Sequence, residues 1–265
     1  MRQSKDDSAG IEALRALVNR LRAPDGCPWD REQRLPDLRA YLLEEAHEVA
    51  AAIDRGDLAD LEGELGDLLF QIVFVAALAK DAGGFDLDGV IRRIHAKMVA
   101  RHPHVFGGEE LADAQAVRDA WERRKLLEKK GSESLLDGVA DSMPALVAAY
   151  RLTQKAAGVG FDWPDARAVL AKLDEELAEV RAELDAPQPD RDRLQSEIGD
   201  LLFTVANLAR KLDVDPEGAL ARTNLKFRRR FAAVEEGLRE SGHRLGEAGL
   251  DEMDALWEAA KTREP

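Results

Sequence analysis

Two stretches of this sequence set carboxylates at helical spacing. The first is Glu44-Glu45-Ala46-His47-Glu48 followed by Gly63-Glu64-Leu65-Gly66-Asp67, and the second is Glu175-Glu176-Leu177-Ala178-Glu179 followed by Ser196-Glu197-Ile198-Gly199-Asp200. Side chains three residues apart share a helix face, so Glu45 with Glu48 and Glu64 with Asp67 each point one way, and two antiparallel helices can bring both pairs to one ion. Glu176 with Glu179 and Glu197 with Asp200 repeat the arrangement. An oxygen-only donor set suits Mg²⁺ or Mn²⁺ over zinc or copper. Position along the apolar stripes separates these residues from an ordinary solvated acidic face. Leu42, Glu45, Val49 and Ile53 form one stripe and Leu61, Glu64, Leu68 and Ile72 its partner; Leu173, Glu176, Val180, Leu184 and Leu194, Glu197, Leu201, Val205 follow suit. Each central glutamate takes a core slot. Inward carboxylates repel one another and lose hydration, at a cost on the order of several kcal/mol per ion unless a cation compensates.

Cations recur in the same manner. Lys97 and Arg101 return as Lys226 and Arg230, and Trp121 and Lys125 as Trp257 and Lys261, each pair spaced one helical turn. A carboxylate-held metal flanked by Lys and Arg suits a metal-bound polyphosphate, with a tryptophan face available for a base. His102 and His104 occur in the first copy alone and read as structural.

These residues require helices to position them. Apolar residues recur at three and four rather than two, Ala and Leu are abundant, and alternating β-branched runs are lacking, so the fold class is all-α. Helices are expected near Ile11–Leu21, Leu35–Asp54, Leu58–Lys80 and from Leu87 to the His102-Pro103-His104 stop, with a further helix carrying Trp121 and Lys125. Short connections such as Arg55-Gly56-Asp57 make neighbours antiparallel. Glu44 recurs as Glu175 and Glu64 as Glu197, so a unit of about half the chain is duplicated, and the offset drifts only by short loop insertions. The pattern predicts domains at 1–127 and 143–265 joined by a linker at 128–142.

Composition narrows the function classes. A formal charge of −14 leaves no basic surplus for general binding to nucleic acid or anionic membrane. The apolar run from Leu68 to Ala79 is broken by Gln71 and is too short to span a bilayer. Cys27 is the single cysteine and the N-terminus shows no apolar signal segment, so a soluble cytoplasmic protein is expected.

The motifs GCPWD at 26–30, EEAHE at 44–48, GELGDLLFQ at 63–71, RHPHVF at 101–106, VGFDW at 159–163 and KFRRRF at 226–231 resemble those of MazG-type nucleoside triphosphate pyrophosphohydrolases, over almost the whole length. The resemblance implies two tandem MazG-like helical bundles, a homodimer, and Mg²⁺-dependent hydrolysis of a nucleoside triphosphate to monophosphate and pyrophosphate. Carried over residue by residue, it makes Glu176, Glu179, Glu197 and Asp200 the metal ligands of the second copy, with Glu175 beside them at the catalytic edge. Lys172, Lys226, Arg230, Trp257 and Lys261 would contact substrate there. The first copy offers Glu45, Glu48, Glu64 and Asp67 with Lys97, Arg101, Trp121 and Lys125, but has Tyr41 for Lys172 and His95 for Asn224, which favours the second copy as the catalytic one.

Two other classes compete. A non-catalytic nucleotide and metal sensor or helical scaffold fits the first copy better than the second. Glu44 and His47 form the Glu-x-x-His element of di-iron bundles, yet such bundles need two copies of it and Glu176 to Glu179 carries no histidine.

Overall fold

The computed structural model describes residues 10–113, 116, 117, 120, 121, 124 and 134–263. Among them there are helices, turns and bends but no strand, and no helix is long and apolar enough to cross a membrane. The chain divides into two compact units between Leu111 and Ala112, ahead of the limit at 127 expected from the motifs. Residues 128–133 of the expected linker lie outside the described residues, and 134–142 form turns.

The first unit contains α1 (Ile11–Leu21), α2 (Pro28–Glu32), α3 (Leu38–Arg55), α4 (Leu58–Asp81), α5 (Leu87–Arg101) and α6 (Pro103–Phe106). α4 is its centre, packed against α3, α1 and α5. Its apolar C-terminal half explains this role: Val73, Phe74, Ala76 and Leu78 are buried with Val18 of α1, Leu38 of α3 and Leu87 of α5. Arg15 on α1 adds a tie to Asp88 on α5, with guanidinium nitrogens 2.5 and 3.1 Å from the carboxylate oxygens. The connection between α3 and α4 is two residues long. Gly56 closes α3 at φ 71°, a left-handed conformation that glycine adopts without steric penalty, and Asp57 caps α4 by accepting from the backbone N–H groups of Ala59 and Asp60. Gly26 of the GCPWD motif is required for another reason. A Cβ there would lie 2.2 Å from the Leu21 carbonyl oxygen, so only a bare backbone lets α1 turn into α2.

The second unit repeats the plan with α7 (Ala145–Ala157), α8 (Ala166–Leu184), α9 (Arg191–Lys211), α10 (Pro216–Glu240) and α11 (Leu250–Arg263). α9 takes the central place, packing on α8, α7 and α10, and α11 lies along α10. The connection between α8 and α9, 185–190, is longer than its counterpart, and Asp190 caps α9 by accepting from the Asp192 N–H. The drift between Glu44/Glu175 and Glu64/Glu197 falls across this turn. α8 ends sooner after Glu176 than α3 does after Glu45, and the longer connection more than makes up the difference, while Glu64 and Glu197 keep the same distance from the start of their helices.

The VGFDW segment is held down by charge. Asp162 accepts hydrogen bonds from Arg210 (2.5 Å) and Lys211 (2.6 Å) at the end of α9, and Lys211 also donates to the Trp163 carbonyl oxygen. Burial alone would raise the Asp162 carboxyl; the two cations outweigh it and hold the group below its ordinary range. The side chain is 21% exposed, Arg210 11% and Lys211 14%, so removing one partner leaves largely covered charges unpaired. Asp162→Ala should therefore destabilise the second unit by about 3 kcal/mol in denaturant melts at neutral pH. Because the folded-state value is depressed, this contribution is complete above the unfolded carboxylate value near about 3.9 and is lost as pH falls through the lower folded-state value. A variant as stable as the parent at pH 7 would show the cluster to be dispensable.

Candidate active site

Each candidate centre is built on one antiparallel helix pair. Glu45 and Glu48 of α3 and Glu64 of α4 place carboxylate oxygens within 4.8 Å of one another, as do Glu176 and Glu179 of α8 and Glu197 of α9. These are the distances at which several oxygens can share one hard cation. Glu176 is buried at 5% exposure, Glu45, Glu64 and Glu197 are half-buried, and Glu48 and Glu179 face solvent. The centres thus lie at the edge of the helix packing, open on one side. Asp67 stands outside the first three-residue group but acts electrostatically on both Glu45 and Glu64; Asp200 stands outside the second.

The middles of the expected stripes are covered and their far ends are not. Leu42, Val49, Leu61 and Leu68 are half-buried, whereas Ile53 and Ile72 are exposed, and in the second copy Val180 is buried while Leu184 and Val205 are exposed. The helix pairs cover the middles of the stripes, and the apolar positions at the far ends are left partly open to solvent.

Electrostatics distinguishes the two centres. In the first, loss of hydration pushes the Glu45 carboxyl above its ordinary range; a hydrogen bond from Gln71 Nε2 (3.4 Å) opposes this, while Asp67, Glu48 and Glu44 add to it. Glu64 is raised by the same loss of hydration, then by Glu48, Asp60, Asp67 and Glu45. In the second centre Glu179 is raised by desolvation and by Glu176 and Glu197, against the pull of Lys172. Lys172 Nζ lies 2.7 Å from Glu176 Oε1 and 3.0 Å from Glu175 Oε1, and those carboxylates hold the ammonium well above its ordinary range. The equivalent place in α3 is Tyr41, whose ring meets Trp29 edge-on at 6.0 Å and packs against the core. Gln71 had no assigned role in the sequence reading. Its signal was present, since it interrupts the apolar run of α4 two turns after Glu64, on the same face.

Basic and aromatic residues gather on α10 and α11. The Arg230 guanidinium sits 5.7 Å from the Trp257 ring centre, Phe227 packs on the same ring at 5.1 Å, and Lys261 pairs with Glu258 at 2.7 Å. Lys226 is half-buried on α10. In the first unit Lys97 is exposed beside Phe85, Arg93 and Ile94, whereas Arg101 is 9% exposed, withdrawn from solvent in a way that Arg230 is not. Trp121, expected in the first copy's site, falls in the second compact unit and is half-buried, and Lys125 lies outside the described residues. His102 is turned inward, its Nδ1 2.7 Å from the Met98 carbonyl oxygen.

Two copies of one all-α unit, each gathering carboxylates at an antiparallel helix pair, define a tandem repeat protein with two candidate divalent-cation centres. The family model described as the MazG nucleotide pyrophosphohydrolase domain matches residues 33–106 and 165–234, one match around each centre. The nucleoside triphosphate pyrophosphohydrolase of Escherichia coli K12 is 41% identical over 257 residues, 96% of this chain and 98% of that one. The nucleoside triphosphate pyrophosphohydrolase/pyrophosphatase MazG of Thermotoga maritima is 40% identical over 256 residues, covering 96% and 97%. A crystal structure of a mazG-related protein from Thermotoga maritima matches with 34% identity and a TM-score of 0.38, covering 43% of this chain and 98% of that one. The chain belongs to the MazG family of nucleotide pyrophosphohydrolases, hydrolases acting on phosphoric anhydride bonds.

A carboxyl held above its ordinary range opposes folding once it is ionised, and the opposition is relieved as pH falls through its raised value. The Glu64→Gln/Glu179→Gln double variant, melted in EDTA at pH 8, should therefore be at least as stable as the parent, and the difference should shrink toward about pH 4.5. Millimolar Mg²⁺ should raise the melting temperature of the parent and not of the variant. A variant that is less stable than the parent in EDTA at every pH would contradict this electrostatic account.

Proposed function

We propose that this chain hydrolyses nucleoside triphosphates to the monophosphate and pyrophosphate in the cytoplasm, with the second unit as the working site. The observation that carries the reading is the convergence of Glu176, Glu179 and Glu197 within 4.8 Å, one of them buried, beside the ammonium of Lys172. The names of the two relatives of nearly equal length support the reaction class. Glu176, Glu179, Glu197 and Asp200 would hold Mg²⁺, with Mn²⁺ as a substitute; the bound ion supplies charge neutralisation at the phosphate oxygens and Lewis-acid polarisation. Glu175, at the edge of the cluster and half-exposed, orients the attacking water and receives its proton. Lys172, Lys226 and Arg230 share the charge that builds on the pyrophosphate as the anhydride bond between the α and β phosphates breaks. Trp257 offers a face to the base and Lys261 a further phosphate donor, and a stacking face of this kind tolerates every base.

The first unit supports a different reading for itself. Tyr41 replaces the ammonium and Arg101 is buried, so Glu45, Glu48, Glu64 and Asp67 are assigned to metal or nucleotide binding without turnover. Lys97 would contribute to that binding. With purified protein, Mg²⁺ and a triphosphate, Glu176→Ala or Asp200→Ala should lower kcat/KM for pyrophosphate release at least about 100-fold, while Glu48→Gln/Glu64→Gln retains turnover. Undiminished release from the Glu176 and Asp200 variants removes these ligands from the chemistry, and loss in the Glu48/Glu64 variant moves the site to the first unit.

A homodimer fits the exposed apolar stripes. Leu65, Leu69 and Ile72 on α4 and, at the same repeat positions, Ile198, Leu202 and Val205 on α9 are each 39–52% exposed. Contiguous apolar positions of this kind on a helix face suit an isologous contact with a second copy. Light scattering should give twice 29.2 kDa for the parent and 29.2 kDa for Leu69→Glu/Leu202→Glu. A double variant that stays dimeric places the contact elsewhere.

A further inference from the structure

The two centres carry the same carboxylates but neutralise them differently. Around Glu45 the close polar donor is the neutral amide of Gln71, at 3.4 Å, and the position one turn before it on α3 is Tyr41, engaged with Trp29 and the core. Around Glu176 the donor is the Lys172 ammonium, at 2.7 Å, on the preceding turn of α8; the position equivalent to Gln71 is Thr204, which is buried. The carboxylate that Lys172 touches is the most deeply buried member of the cluster, and its Oε1 already has a cationic partner. The Lys172 side chain is 33% exposed, so its long stem can carry the charge out toward solvent without unpacking the helix.

From this contrast we infer that Lys172 is a resident counter-ion of the second centre, which an incoming divalent cation must displace and which is then delivered to the phosphate tail of the nucleotide. Lys172 thus couples metal occupancy to substrate capture. The inference rests on the reading of these carboxylates as metal ligands given above and adds a consequence that the reading lacks: the two centres of one chain load in order. The first, where the donor to Glu45 among the described residues is the neutral Gln71 amide, fills at the lower metal concentration. The second fills at a higher one, and metal arriving together with a triphosphate is favoured there, because the polyphosphate gives the released ammonium a new anionic partner.

Mn²⁺ binding followed by the loss of its free-ion paramagnetic resonance signal, without nucleotide, tests the ordering. The parent should show two classes of site, the tighter lost in Glu48→Gln/Glu64→Gln. Within that variant, Lys172→Met should tighten the remaining class by about tenfold, and Lys172→Arg should leave it within about twofold. The effect of Lys172→Met should persist at 1 M salt, where the screening length is about 3 Å and only contact-range pairing survives. A second measurement needs no substitution. Acylation of Lys172 by an amine-reactive ester, read by peptide mass spectrometry, should rise several-fold when Mg²⁺ is added and fall again when a non-hydrolysable triphosphate follows. Unchanged or weaker Mn²⁺ affinity in Lys172→Met, or labelling indifferent to Mg²⁺, overturns the inference. Both readouts are independent of turnover: an inactive protein that shows them loses the proposed reaction and keeps the counter-ion, whereas an active protein without them does the reverse.

Discussion

Packing an antiparallel helix pair around ionised carboxylates is the constraint on which the rest of this structure depends. Glu45 and Glu64 in one unit, and Glu176 and Glu197 in the other, occupy places between helices that apolar side chains would fill at less cost. Such an arrangement persists only if the surrounding scaffold holds the helices together without help from these positions. In the first unit that work falls to the apolar half of α4 with α1 and α5, and in the second to α9 with α7 and α10. The centres have buried residues on both sides along the helix: Leu38 and Ala52 on α3, and Val169 and Val180 on α8.

Duplication gave the two halves the same problem and they have solved it unequally. One relies on an amide, Gln71, and an aromatic neighbour, Tyr41; the other on an ammonium, Lys172. The same divergence reaches the outer residues. Arg101 is withdrawn into its unit, while Arg230 lies over Trp257 on a surface formed by α10 and α11. The aromatic-Asp landmark differs as well: Asp30 is buried within the short α2, and Asp162 is clamped by Arg210 and Lys211 in a loop. Residues that align in sequence therefore do not share equal surroundings.

Much of the scaffold could be read from the chain because its signals are local. α1 spans the expected Ile11–Leu21, α4 ends one residue beyond the expected Lys80, and the Gly56-Asp57 turn falls where a left-handed closing residue followed by a capping carboxylate predicts it. α3 begins three residues later than expected, at Leu38, since Pro36 and the turn before it hold the chain out of the helix. The short helix at Pro28–Glu32 spans too few residues to carry a periodic stripe that would mark it in the sequence. Periodicity identifies a face but not how far along that face a neighbour reaches, so Ile53, Ile72, Leu184 and Val205 fit the apolar stripes by spacing and are nonetheless exposed.

The sequence by itself determined the helical class, the duplication and which acidic residues share a helix face, because helix periodicity converts spacing of three and four directly into a shared face. Tertiary structure alone decided which carboxylates come within 4.8 Å, that Asp67 and Asp200 stand outside those groups, that Gln71 reaches Glu45, and that Lys172 rather than solvent neutralises Glu176. Those outcomes depend on the axial offset and separation of two packed helices, distances fixed by side-chain packing across the interface and carried by no single stretch of chain.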